Sequence, residues 1–157
     1  MATKKKAKVA KKATTKKTAR TAVAETKKAS KKASTSKAAP TAKPLGPYTP
    51  VVRAGDWIIV SGQLGIADGK VVSGGVAAQT TKAIENLKGQ LASVGANLSD
   101  VSKTLCFLTD MDTFASFNTA YVAGFGNSRP ARSTIGVASL PFGGAVEIEA
   151  WAYKPLR

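Results

Sequence analysis

Near the C-terminus, Arg129-Pro130-Ala131-Arg132-Ser133-Thr134 is followed by Leu140-Pro141 and then by Val146-Glu147-Ile148-Glu149-Ala150. Side chains alternate along an extended segment, so Arg132 and Thr134 share one face, as do Glu147 and Glu149. The opposite face of the last segment reads Val146, Ile148, Ala150, Ala152, a core face. The pattern predicts that Arg132 and Glu147 lie on the same side of one sheet, away from the helices. A planar guanidinium fork that grips a carboxylate, beside a base that can steer water, is equipment for hydrolysing a small acid.

The elements that must position these groups are legible. Val51-Val52-Arg53 and Trp57 to Gln63 flank Ala54-Gly55-Asp56 and read as a hairpin. Ala67-Asp68-Gly69-Lys70 is a turn before a short extended Val71-Val72. Ile84, Leu87, Leu91 and Val94 recur at 3–4 spacing within 76–94, opposite Lys82, Glu85 and Lys88, and Gly95 stops the run. That is an amphipathic helix. Residues 101–109 read as a strand. Asp112 is the expected N-cap of a second helix, with Phe114, Phe117, Tyr121 and Phe125 as its core face. Segments 132–138 and 145–153 are the last strands. The order ββαβαββ is an α+β layer with both helices on one face of the sheet. The other face would carry Trp151 and Tyr153 among charges, a composition that favours burial against another subunit.

Charge is distributed unevenly. Residues 1–45 hold fourteen Lys, one Arg and a single acid, Glu25, so they account for +14 of the chain's +15. Residues 46–157 are close to neutral. Segment 1–43 is Lys, Ala, Thr and Ser with Val9 and Val23 as its only large apolar residues. It cannot bury enough surface to offset chain entropy and is expected to be a disordered polybasic tail; residues 44–157 form one domain of ordinary size. The tail's lysine clusters (Lys4, Lys5 and Lys6; Lys11 and Lys12; Lys16 and Lys17; Lys27 and Lys28; Lys31 and Lys32) can contact phosphate. Without interleaved aromatics they cannot read bases, so any nucleic-acid binding would be non-specific.

The chain has no histidine and one cysteine, Cys106. This removes Ser-His-Asp and Cys-His catalysis and paired-His nuclease chemistry, along with His-ligated or Cys-rich zinc sites. One thiol forms no intrachain disulfide and fits a reducing compartment. No apolar run is long enough to span a membrane. A cytoplasmic protein is expected, nucleoid-associated if the tail engages nucleic acid.

Gly46-Pro47-Tyr48, Ser61-Gly62-Gln63, Gln79-Thr80, Asn86-Leu87, Asn118-Thr119-Ala120-Tyr121, Pro130-Ala131-Arg132-Ser133, Leu140-Pro141 and Val146-Glu147-Ile148-Glu149 occur in that order. On these residues the body resembles the Rid family, the reactive intermediate/imine deaminases also called RidA/YjgF. The resemblance implies a chorismate mutase-like fold and a homotrimer with sites at subunit interfaces, using no metal or organic cofactor. It implies hydrolysis of 2-imino and enamine acids, such as 2-iminobutanoate and 2-iminopropanoate, to 2-keto acids and ammonia. Arg132 matches the arginine that grips the substrate carboxylate, and Glu147 the glutamate that positions or activates water. Tyr48, Ser61 and Asn118 match pocket-lining residues, and Gly62 a backbone contact to ligand. Thr134 stands where many members have Cys, so a hydroxyl replaces a thiol in the substrate-binding set.

Each residue also has a plainer reading. Arg132 and Glu147 would otherwise be an interface ion pair, Asn118 a local amide bond and Tyr48 a packing aromatic. Cys106 reads as a buried small hydrophobe and the aromatic run on the second helix as core. Two other functions remain open from sequence: a nucleic-acid-associated protein with RNA-cleaving or translation-inhibiting activity, and a non-catalytic, chaperone-like trimer.

Overall fold

The computed structural model describes residue 44 and residues 46–156, so the expected tail, with all its lysine clusters, lies outside the described residues. Strand β1 (Val51–Ala54) forms the expected antiparallel hairpin with β2 (Trp57–Leu64), turning at Gly55. A second hairpin joins β3 (Ile66–Ala67) to β4 (Lys70–Val71). Asp68 and Gly69 turn it with φ of 51° and 76°, the left-handed pair that a tight hairpin requires.

Helix α1 (Gly75–Ser93) follows, and the expected stop at Gly95 is a Schellman cap. Gly95 has φ 74°, its N–H donates to Ala92, and Ala96 N–H reaches back to Leu91. Strand β5 (Val101–Leu108) leads to α2 (Phe114–Phe125). Here the expected cap is corrected. Asp112 N–H donates to the Asp110 side chain, which caps a 3-10 turn at Met111–Thr113, and α2 begins one turn later without a side-chain cap. Strands β6 (Ala131–Gly136) and β7 (Val146–Tyr153) complete the chain.

The sheet order is β1-β2-β7-β5-β6. All neighbours are antiparallel except β5 and β6, which are parallel and joined through α2. This is the expected two-helix layer on a mixed sheet, with the β3–β4 hairpin added. The core lies between helices and sheet: Ile84, Leu87 and Leu91 of α1 and Phe117, Tyr121 and Phe125 of α2 meet Ile58, Val60, Cys106, Ile148 and Ala150. At the ~25 cal/mol per Å² of apolar burial, such a face is the main source of stability for a domain of this size. On the far side, Trp57, Ile59, Trp151 and Tyr153 are each 43–48% exposed, an apolar sheet face without a covering layer among the described residues.

Two amides of α1, the half-buried Asn86 and the buried Gln79, lock helix to sheet. Asn86 Nδ2 donates to the carbonyls of Leu64 and Ile66, both at 3.0 Å, and so holds the bend after β2. Gln79 Oε1 accepts from Ala145 N–H at 2.7 Å, anchoring the chain just before β7. Gly65 fits beneath α1 because it has no side chain; a Cβ there would strike the Gln79 backbone.

Candidate active site

Arg132 is placed by the register of β6 against β5. It stands opposite Thr104, which is fully buried and shares a 2.7 Å hydrogen bond with the Tyr121 hydroxyl of α2. The Arg132 guanidinium therefore points to the helix side of the sheet. Its Nη2 donates to Asn118 Oδ1 at 2.9 Å, and it lies 4.6 Å from the Tyr121 ring centroid, 5.4 Å from Phe117 and 5.7 Å from Phe114. The π faces favour a cation at such distances, by roughly 0.5–2 kcal/mol where water is partly excluded. None of these partners neutralises it: the ion pairs among the described residues are Lys82–Glu85 and Lys154–Asp100. Thr134 lies two residues on, opposite Cys106 and on the same face as Arg132. Its Oγ1 is buried without a hydrogen-bond partner. This corner has a fixed cation with spare donors and an unsatisfied hydroxyl, groups suited to an anion.

Glu147 is built on the other side of the sheet. It alternates with the fully buried Val146 and Ile148 and stands opposite Phe107 of β5 and Leu64 of β2. A β-bulge decides what it meets. Val60 pairs with Ala150 and Gln63 with Ile148, so Ser61 and Gly62 together face the space of one residue on β7. Gly62 thus comes against the Glu147 carboxylate, and a Cβ at 62 would overlap Oε1. Half-burial raises the Glu147 carboxyl above its ordinary 4.5, and repulsion from Glu149 adds to the rise. The Ser61 hydroxyl donates to the Thr49 carbonyl at 2.8 Å and its N–H to Pro50 at 2.9 Å. These bonds clip the 46–50 segment, which carries the exposed Tyr48, onto β2.

The predicted residues thus form two groups: Arg132, Asn118 and Thr134 on the helix side, and Glu147, Gly62 and Ser61 on the open side, with Tyr48 on the segment Ser61 holds. The expectation that Arg132 and Glu147 share a face is overturned. Alternation is preserved within each strand, but the parallel β5–β6 register turns the even-numbered residues of β6 toward α2. Phe117 and Tyr121, read from sequence as core, are buried and also form the platform under the guanidinium, whereas Phe114, read as core with them, is exposed at the start of α2 and only flanks the cation; the 3–4 spacing gave no sign of the cation beside the stripe. Gln79 and Asn86 belong to the motifs, yet nothing in their types announced that they hold the two ends near Glu147. Cys106 is fully buried, and burial pushes its thiol up to about 11, as befits a packing residue. Among the described residues no three His, Cys, Asp or Glu side chains gather as a metal cluster, and no helix is long and apolar enough to cross a membrane.

A family model described as endoribonuclease L-PSP matches residues 35–154. A mouse protein named 2-iminobutanoate/2-iminopropanoate deaminase is 41% identical over 118 residues, covering 74% of this chain and 86% of its own. A RutC family protein of Pyrococcus horikoshii is 41% identical over 114 residues, covering 71% and 90%. The solved structure of a putative endoribonuclease of Thermotoga maritima superposes with a TM-score of 0.69 at 42% identity, covering 73% of this chain and 91% of that one. The YjgF product of E. coli does so with a TM-score of 0.67 at 39% identity, covering 74% and 93%. The two helices on a five-stranded mixed sheet are therefore the chorismate mutase-like layer of this group. The chain belongs to the endoribonuclease L-PSP family, the RidA/YjgF proteins.

Proposed function

We propose that the protein hydrolyses small 2-imino acids and their enamine tautomers to 2-keto acids and ammonia, without metal or organic cofactor, in sites completed between copies of the chain. The observation that carries this reading is the Arg132 guanidinium, fixed by Asn118 and three aromatic rings yet without a carboxylate partner among the described residues. It is a clamp prepared for a substrate carboxylate. The unsatisfied Thr134 hydroxyl on the same strand face supports this reading, as does the activity named for the mouse relative.

Glu147 supplies the base. Its raised pKa makes it a better proton acceptor than an ordinary carboxylate. It takes a proton from water as the oxygen forms a bond to C2 of the protonated imine. The carbinolamine nitrogen receives that proton; as the C2–N bond breaks, Glu147 takes the remaining hydroxyl proton, the 2-keto acid forms, and ammonia leaves with that proton as ammonium. Because Arg132 and Glu147 occupy opposite faces of one sheet, one small ligand meets both only if a second copy contributes. The exposed Trp57, Ile59, Trp151 and Tyr153 face is the surface such copies would bury, and a homotrimer is the assembly we propose. RNA cleavage has less support: the chain lacks histidine, and the site provides one carboxylate rather than an acid–base pair.

The test generates 2-iminopropanoate or 2-iminobutanoate with an amino-acid oxidase and traps it with semicarbazide. Wild type should suppress semicarbazone formation, while Arg132→Ala and Glu147→Gln should not. A wild type inactive on several imino acids defeats the reading. An Arg132→Ala variant as active as wild type removes the clamp from it and favours a non-catalytic role.

A further inference from the structure

A guanidinium grips a carboxylate with two parallel bonds only while its plane is held at one tilt. Among the described residues the Arg132 side chain makes one hydrogen bond, from Nη2 to Asn118 Oδ1. One bond fixes an edge and leaves the group free to pivot about it, so the tilt must be set by what lies against the flat face. We propose that Tyr121 is the positioning residue of the clamp, a role that rests on the deaminase reading of Arg132: the buried hydrogen bond between its hydroxyl and Thr104 seats the ring that holds the guanidinium ready for the carboxylate of a 2-imino acid.

The Tyr121 ring is the nearest of the three aromatic faces, with its centroid 4.6 Å from the Arg132 Cζ against 5.4 Å for Phe117 and 5.7 Å for Phe114. Two contacts determine where that ring sits. It stacks on Phe125 with centroids 4.4 Å apart and planes at 23°, and its hydroxyl shares a 2.7 Å bond with Thr104. Stacked rings slide past one another at little cost, and the hydroxyl bond stops the slide. Thr104 stands opposite Arg132 in the β5–β6 register. The bond therefore closes a circuit, from the Arg132 backbone across to Thr104, through the two hydroxyls to the ring, and back to the guanidinium. Asn118 lies one turn before Tyr121 on α2, so the tether that seats the ring also seats the amide.

Packing alone does not account for the hydroxyl. Phe114, Phe117 and Phe125 occupy the neighbouring positions of the same stripe without one, and a hydroxyl in a core is costly unless it is bonded. Thr104 is fully buried and Tyr121 is 6% exposed, so neither faces bulk solvent. On β5 the next residues of that face, Cys106 and Leu108, carry no hydroxyl. The pair thus occurs where strand, helix and guanidinium meet. Burial pushes the Tyr121 phenol up to about 12, so it keeps its proton wherever imine hydrolysis is measured.

The experiment compares the full chain with Tyr121→Phe, Thr104→Val, the two combined, and Thr80→Val as a control. Thr80 is also a fully buried hydroxyl, bonded to the Val76 carbonyl within α1. Each protein is read by thermal unfolding, by KM and kcat for 2-iminobutanoate generated in place, and by the calorimetric Kd for 2-oxobutanoate, the product, whose binding needs the clamp but no turnover. Each single change orphans a buried hydroxyl and should lower the melting temperature, whereas the double change removes both and should regain much of the loss. KM and Kd should rise about fivefold or more in all three variants, the double included, with kcat within about twofold of wild type, as the loss of a binding interaction requires. Thr80→Val should keep wild-type KM and Kd. A double variant that regains wild-type KM and Kd together with its stability makes the hydroxyl pair structural and overturns the proposal. So does a loss confined to kcat, or an equal rise in KM for Thr80→Val. A wild type that neither binds 2-oxobutanoate nor hydrolyses 2-iminobutanoate defeats the deaminase reading and this role together. A wild type that does either, with the three variants indistinguishable from it, defeats the role of Tyr121 alone.

Discussion

At the scale of single residues, the contact between Gly62 and Glu147 makes the sharpest demand on identity. A methyl at 62 meets the far end of a flexible side chain rather than backbone, so Gly62→Ala should fold with little change in thermal midpoint. The methyl must nevertheless push the carboxylate aside, and imine hydrolysis should fall by about tenfold or more, the usual effect of misplacing a general base. The Glu147 carboxyl has a pKa above its ordinary value, so the native state binds that proton more tightly than the unfolded chain does. Its contribution to stability is greatest in acid and is withdrawn as pH rises through the raised pKa. Glu147→Gln should therefore melt higher than wild type at neutral pH, with the advantage vanishing below the ordinary carboxylate range. The same shift sets the acid limb of the rate profile. Removing the neighbouring charge by Glu149→Gln should move that limb to lower pH and leave the plateau in place. Thr134→Val separates two uses of a buried hydroxyl: losing an unsatisfied polar atom should keep or raise the melting temperature, while KM for the imino acid rises several-fold.

At the scale of elements, α1 acts as a jig through its two amides. Asn86→Ala leaves the Leu64 and Ile66 carbonyls without their donor and should cost about 1–3 kcal/mol in denaturant unfolding. Gly65→Ala should be at least as damaging, because its methyl meets the rigid Gln79 backbone, in contrast to Gly62. Much of this layer could be read in advance. The hairpin at Gly55, both helices, the Gly95 stop and the alternation of β7 follow from periodicity and turn chemistry, which are local. Three things were not local. The side of the sheet to which Arg132 points depends on the parallel register of β6 with β5, and alternation determines which residues share a face without saying which face. The bulge at Ser61–Gly62 breaks period two with no Pro or charge to mark it. The Asp110 cap serves a 3-10 turn ahead of α2, so a helix-start rule placed it two residues late, at Asp112. The candidate site residues were named through motif resemblance, whereas their division into two groups was not legible there.

At the scale of the whole molecule, that division has a direct signature. If each site takes Arg132 from one copy and Glu147 from its neighbour, two inactive variants can repair one another. Co-expressed Arg132→Ala and Glu147→Gln chains, assorting at random in a ring of three, should recover about a quarter of wild-type activity. Sites contained within one chain would recover none.

Cys106, finally, is the one thiol in the chain, and it is sealed in β5 between the sheet and the helices. A thiol reagent added to native protein can react only with molecules in which β5 has opened, and each opening yields at most one label. The chain therefore carries its own stopwatch. The labelling rate under native conditions reads the opening free energy of β5, without denaturant and without an engineered probe.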